Sequence, residues 1–180
     1  MDFLPNCAFE TVAMKTLKNS IAASTSMLTP HTYVLTSSSA NAKTELNAFD
    51  LALHGVGISD FNYITVSSIL PKGCREGTMA DVATATPGSF MFCVMSKIVS
   101  STPGERIASS IACITTKETV GCITEYHGAC SKEEAEVRAI DMARRMVSQR
   151  NATIDTIKTI SSDMVVETCG CSISLCLLLY

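Results

Sequence analysis

Phe61-Asn62-Tyr63-Ile64-Thr65-Val66-Ser67-Ser68-Ile69-Leu70-Pro71 is the stretch whose reading decides the fold. Aromatic and β-branched residues fill its first half, which predicts a strand. Two serines follow, and Pro71 removes a backbone donor and marks a turn. Taken alone, Ser67-Ser68 is an ordinary strand end.

Upstream, Thr32-Tyr33-Val34-Leu35-Thr36 predicts another strand and the polar run 37–43 a loop. Thr44 is placed to cap a helix through His54, with Glu45 in its first turn and Gly55 and Gly57 ending it. Downstream, 71–88 reads as irregular, and strands are expected over 90–99, 107–115 and 120–126. Ser131 and Glu134 form a capping box that opens the strongest helix, ending near Gln149. Val137, Ile140, Ala143 and Val147 give that helix an apolar stripe, and Glu134–Arg138 and Asp141–Arg145 are spaced to pair. Two last strands are expected over 153–161 and 169–179. Strands dominate, with two long helices packed outside a mixed sheet system, so the class is an α+β sandwich.

The 180 residues fit one domain with a sizeable core, and 47% are hydrophobic. We divide the chain into an N-terminal arm, 1–27, and a single domain, 28–180. The arm has scattered apolar residues and no secretory-signal pattern. A net charge of −3 carries no footprint for nucleic acid. No apolar run approaches the ~18–20 residues that span a bilayer, so no membrane partner is expected. Nine cysteines are an odd count for a disulfide framework, and Cys93, Cys113, Cys122 and Cys176 lie in apolar runs. They read as reduced, small core residues of a cytoplasmic protein. Cys169-x-Cys171 lacks a second pair at zinc spacing, so no metal site is expected.

Several blocks, in order and at near-constant spacing, are similar to one family. They are Leu46-Asn47-Ala48-Phe49-Asp50, Val56-Gly57-Ile58, Asn62-Tyr63-Ile64, Val66-Ser67-Ser68-Ile69-Leu70-Pro71, Pro103-Gly104-Glu105, Glu125-Tyr126-His127-Gly128-Ala129-Cys130-Ser131-Lys132 and Gly170-Cys171. Together they resemble the pyruvoyl-dependent arginine decarboxylases from about residue 28 to residue 180. The resemblance implies a four-layer αββα sandwich, mixed β-sheets with outer helices, and a homotrimer of cleaved chains or a hexamer of paired trimers.

It also implies a chemistry. The Ser68 hydroxyl attacks the Ser67 carbonyl, the peptide becomes an ester, and β-elimination leaves a covalent pyruvoyl group at 68. The chain is then cut between 67 and 68. The pyruvoyl ketone condenses with the substrate α-amine and serves as electron sink when CO₂ leaves. By the resemblance the substrate is a small cationic amino acid, L-arginine, and the product agmatine. Ser68 is the catalytic centre, and Ser67 ends beside it.

Glu125 matches the family's acidic active-site residue. At the end of the apolar strand Cys122-Ile123-Thr124, partial burial would raise its pKa and suit it to protonate the substrate carbon; its bland alternative is a strand-edge glutamate in water. Asp50 is the candidate for the substrate guanidinium. On its helix it falls within a stripe of Leu46, Phe49 and Leu53, and Leu46 and Leu53 would flank the substrate methylenes; its alternative partner is a structural arginine. Asn62 matches a polar residue tied in the family to pyruvoyl formation. Six residues of extended strand, roughly 20 Å, part it from Ser68. It therefore serves a neighbouring chain's site or else satisfies local backbone. Tyr126, His127 and Gly128 are expected to shape a turn after Glu125.

The segment Pro71-Lys72-Gly73-Cys74-Arg75-Glu76-Gly77 departs from the family pattern, and 1–27 lie outside it. Two alternatives stand beside the arginine reading: the same cofactor acting on another cationic amino acid, or an unprocessed homologue serving as an assembly subunit.

Overall fold

Strand β9, Cys169–Leu179, is the axis of the molecule. The computed structural model describes residues 28–180, and the expectations for 1–27 lie outside those residues. β9 is nearly all small or apolar because neighbours cover both its faces and both its edges. On one edge it pairs antiparallel with β1, Thr32–Ala42, from Thr32↔Leu179 to Ala42↔Cys169. On the other it pairs antiparallel with β5, Phe90–Ser100. Three shorter strands precede β5: β2, Asn62–Thr65; β3, Ile69–Leu70; and β4, Arg75–Glu76. The first sheet runs β2-β5-β9-β1-β4. The second runs β3-β7-β6-β8, with β6 Arg106–Thr116, β7 Gly121–Gly128 and β8 Ile154–Val165.

Three cores separate four layers. Cys171, Ile173, Leu175 and Leu177 of β9 point outward and meet Ala48, Ala52 and Leu53 of helix α1, Glu45–His54. The alternate residues Cys176 and Leu178 point inward and meet Ile111, Cys113 and Ile123 of the second sheet. The far face of that sheet carries Ala112, Ile114 and Cys122, which pack on Ala139, Ala143 and Val147 of the helix Lys132–Ser148. A one-turn helix α2, Met79–Val82, precedes β5, so the long C-terminal helix is α3. The order helix, sheet, sheet, helix is the expected αββα sandwich.

Both long helices begin as their caps predict. Thr44 Oγ1 accepts from Asn47 N at 3.2 Å, and Gly57, with φ of 70°, lets the chain turn out of α1. Ser131 Oγ accepts from Glu134 N at 3.3 Å while Ser131 N donates to Glu134 Oε2 at 3.0 Å. Asp141 and Arg145 pair at 2.7 Å, but the Glu134 carboxylate turns back to the box rather than to Arg138. The buried stripe of α3 is Ala135, Ala139, Ala143 and Val147; Val137 is 66% exposed. Strict four-residue spacing of small side chains lets the helix lie close on the sheet, and Val137 falls off that line.

Residues 37–42 are not a loop. β1 continues through them because their polar side chains have partners on the second sheet. Ser37 Oγ donates to Ser161 O at 3.1 Å, Ser39 Oγ to Asp163 O at 3.3 Å and Asn41 Nδ2 to Val165 O at 3.3 Å. The neighbouring interior is also built of serine: Ser109 Oγ lies 2.9 Å from Ser172 Oγ and 3.0 Å from Ser174 Oγ, all buried. Every buried side-chain polar atom among the described residues has a hydrogen-bond partner. The eight described cysteines are free, with Cys93, Cys113, Cys122 and Cys176 buried as expected. No helix among the described residues is long and apolar enough to cross a membrane.

Candidate active site

The segment 61–71 joins the two sheets. β2 is the outer strand of the first sheet, parallel to β5 from Asn62↔Phe90 to Thr65↔Cys93, and Val66 N extends the pairing to Cys93 O at 2.9 Å. β3 is the outer strand of the second sheet, with Ile69↔Cys122 and Leu70↔Gly121 antiparallel to β7. Ile123 N donates to Ser68 O at 2.9 Å. The Ser67–Ser68 peptide is thus where the chain leaves one sheet and enters the other. Ile69 N donates to Ser67 O at 2.9 Å, closing a three-residue turn centred on Ser68. Ser67 is exposed and Ser68 half-buried.

Glu125 stands close by on the sequence of β7. Thr124 faces α3, where its Oγ1 donates to Ala139 O at 2.7 Å, so alternation turns Ile123 and Glu125 to the opposite, inter-sheet face. Glu125 lies two residues along β7 from Ile123, whose N–H holds Ser68 O, and it is exposed. The surrounding protein desolvates its carboxyl and raises its pKa; a backbone hydrogen bond and the charge of His127 oppose that shift. The adjacent backbone is fixed from the first sheet: buried Ser96 of β5 donates from Oγ to Tyr126 O at 2.7 Å. Tyr126, His127 and Gly128 do not form a turn. They stay in β7 because β6 is long enough to pair with them, through Ser110↔Tyr126, Ser109↔His127 and Ala108↔Gly128.

One chain therefore places Ser67 and Ser68 at the crossing and Glu125 two residues beyond their β7 partner Ile123, and the remaining candidates lie elsewhere. Asn62 is exposed at the far end of β2, where Nδ2 donates to Gly88 O at 2.8 Å. Asp50 is exposed on α1, which covers the outer face of the first sheet. Leu46, one turn before it, is 76% exposed, whereas Leu53 is 5% exposed and packs in the outer core. The expected stripe is therefore split: the buried face follows Ala48, Ala52 and Leu53, and Leu46 and Asp50 lie on its outer flank. Leu53 is a core residue and is not available to flank a substrate.

A cleft of about 530 Å³ opens elsewhere, where β1 and β5 begin and β9 ends, lined in part by His31, Arg75, Asp81, Phe92 and Tyr180. Ser67, Ser68 and Glu125 are not among its lining residues. The two main-chain donors, Ile69 N and Ile123 N, escape sequence reasoning because every residue type but proline carries the same N–H. Ser96 could have been found, as a polar residue within the apolar run 90–99.

A family model described as pyruvoyl-dependent arginine decarboxylase matches residues 32–180. A protein of that name from Methanothermobacter thermautotrophicus is 38% identical over 142 residues, which are 78% of this chain and 91% of the relative. One from Methanocaldococcus jannaschii is 35% identical over 153 residues, 84% of this chain and 91% of the relative. One from Methanococcus vannielii is 34% identical over 153 residues, 84% and 92% of the two chains.

Proposed function

We propose that this chain, which belongs to the pyruvoyl-dependent arginine decarboxylase family, is a proenzyme that cuts itself between Ser67 and Ser68 and then converts L-arginine to agmatine and CO₂. The observation that carries this is the position of the Ser67–Ser68 peptide, at the crossing between two sheet edges, with Ser68 bonded to Ile123 two residues before Glu125 on β7. Cutting there leaves each new end anchored, Ser67 through Val66 to β5 and residue 68 through its own carbonyl to β7.

The residues present fit the formation of a pyruvoyl group. Ser68 has the required β-hydroxyl, is half-sheltered, and is bracketed by carbonyls already held by main-chain donors. Its Oγ forms a bond to the Ser67 carbonyl carbon, the peptide C–N bond breaks, and the hydroxyl proton passes to the freed nitrogen. Loss of the 68 Cα proton and of the Cβ–Oγ bond releases Ser67 as a carboxylate. Water then replaces the nitrogen, which departs as ammonia. The pyruvoyl group supplies a carbonyl for the substrate α-amine and a sink for the electron pair that CO₂ leaves behind.

In this reading Glu125 holds the proton that the substrate α-carbon takes up. A carboxyl whose pKa is raised by desolvation keeps that proton to higher pH than an ordinary glutamate. Asp50 binds the guanidinium in a bidentate pair, and Leu46 covers the methylenes. Asp50, Leu46 and Asn62 all lie away from Ser68 of their own chain, so they serve a neighbour's site in a homotrimer, and exposed Leu46 and Phe90 are apolar surface that such an assembly would cover. The eight free cysteines support a reducing, cytoplasmic setting.

Intact-mass measurement of the purified protein tests this reading. Two fragments, 1–67 and a 68–180 piece with a blocked N-terminus, are expected. A single full-length chain after prolonged incubation would refute it. Release of CO₂ from a panel of cationic amino acids should favour arginine, and a clear preference for ornithine or lysine would replace the substrate while leaving the maturation intact.

A further inference from the structure

We infer that the main-chain N–H of Ile69 is the donor that activates the scissile bond during maturation: it polarises the Ser67 carbonyl and takes up the charge that develops on Ser67 O as Ser68 Oγ attacks. The inference rests on the self-cleavage reading and adds the group that stabilises its first step. Antiparallel pairs alternate between bonded and non-bonded positions. The bond from Ile123 N to Ser68 O makes 68 and 123 a bonded position, so the next pair, Ile69↔Cys122, is a non-bonded one and Ile69 N points away from β7. It is spare, and it turns back to Ser67 O at 2.9 Å, so it already points at the oxygen on which charge develops.

The donor is also held in place before any chemistry begins. Upstream, Val66 N is bound to Cys93 O of the first sheet; downstream, Leu70 and Ile123 are buried in the inter-sheet core. The turn is thereby clamped from both sides, and charge appearing on Ser67 O meets an N–H that has no need to move. Among the described residues no side chain hydrogen-bonds that oxygen, and the amide of Asn62 is engaged with Gly88 O. The step needs nothing from outside: one C–O bond forms, one C–N bond breaks, and one proton moves from oxygen to nitrogen.

The test removes the N–H and keeps the side chain. Full-length protein carrying the α-hydroxy analogue of isoleucine at 69 has an ester there and no donor. Ile69→Pro also lacks the donor, and Ile69→Val retains it. Each is followed for cleavage at 67/68 by intact mass, with cooperative melting as the check on folding. Ile69→Val should mature at the wild-type rate, and the ester and proline forms at least roughly 100-fold more slowly. A folded ester form that matures within threefold of wild type overturns the inference, even if the proline form is slow, because the effect would then be steric. Wild-type protein that never cleaves would remove the self-cleavage reading itself, and the inference with it.

Discussion

Glu125→Gln separates the two halves of the chemistry. The substitution keeps the shape of the side chain and its place on β7, but it removes the proton. The proposed maturation draws on the Ser68 hydroxyl and not on the Glu125 carboxyl, so the variant should still yield fragments 1–67 and 68–180. Decarboxylation should fall by about 10²–10⁴, the usual contribution of a positioned general acid, which corresponds to roughly 3–5 kcal/mol of barrier. The pH dependence gives a second readout. Desolvation raises the Glu125 pKa, so the protonated, competent form persists above the ordinary glutamate range and is lost as pH rises through the folded-state value. The Gln variant should lack that limb in its residual rate. Stability follows the same sign. With the folded pKa above the unfolded one, the stabilisation linked to Glu125 is complete below the unfolded pKa and disappears as pH climbs through the folded one. Glu125→Gln should therefore melt higher than wild type at neutral pH and lose that advantage in acid. Steady-state CO₂ release across a pH series, with a melt at each pH, measures both. A variant that turns over at the wild-type rate with the same pH limb would refute the assignment.

Leu70→Ala empties a fully buried position in the inter-sheet core beside the crossing and should cost about 2–5 kcal/mol in denaturant unfolding, with slower maturation. Ser109→Ala removes a hydroxyl shared by Ser172 and Ser174, each of which keeps a carbonyl acceptor, so a loss of only about 1–2 kcal/mol is expected. A loss above that range would mean that the serine layer acts as a cooperative unit. Asp50→Ala and Glu125→Gln chains, each nearly inactive alone, should regain up to about a quarter of wild-type activity when co-expressed, so that intact chains fold and assemble before they are cut, because one site in four in a random assembly draws an intact residue from each chain. No recovery would place Asp50 and Glu125 in the same chain's site.

Where side chains carried the signal, the fold was legible. Thr44, Ser131 and Glu134 announced both long helices, and the run of small and apolar residues over 169–179 announced the strand at the centre of the first sheet. The ordered blocks from Leu46 to Gly170 supplied the layer order that local patterning alone could not. The misreadings share a physical cause, which is that polar residues were read as ending a strand. Ser37, Ser39 and Asn41 are polar because they meet carbonyls of β8, and His127 stays in its strand because Ser109 pairs with it. Helical periodicity was right for α1 but set too wide, which drew Leu46 and Asp50 onto a face that only Phe49 and Leu53 of that stripe join. The main-chain donors at Ile69 and Ile123 had no residue signature at all.

The strand order has a consequence for the matured protein. β1 and β2 precede the cut, whereas β4, β5 and β9 follow it, so the first sheet reads second fragment, first fragment, second, second, first from β4 to β2. The two pieces are interleaved, and neither can leave without dismantling the sheet. Before the cut, each protomer folds as one covalent piece. Afterwards the melted fragments must find each other again, so recovery becomes second-order and depends on dilution. Under the proposed cleavage, the lifetime of the cut protein is set by the barrier to opening that sheet.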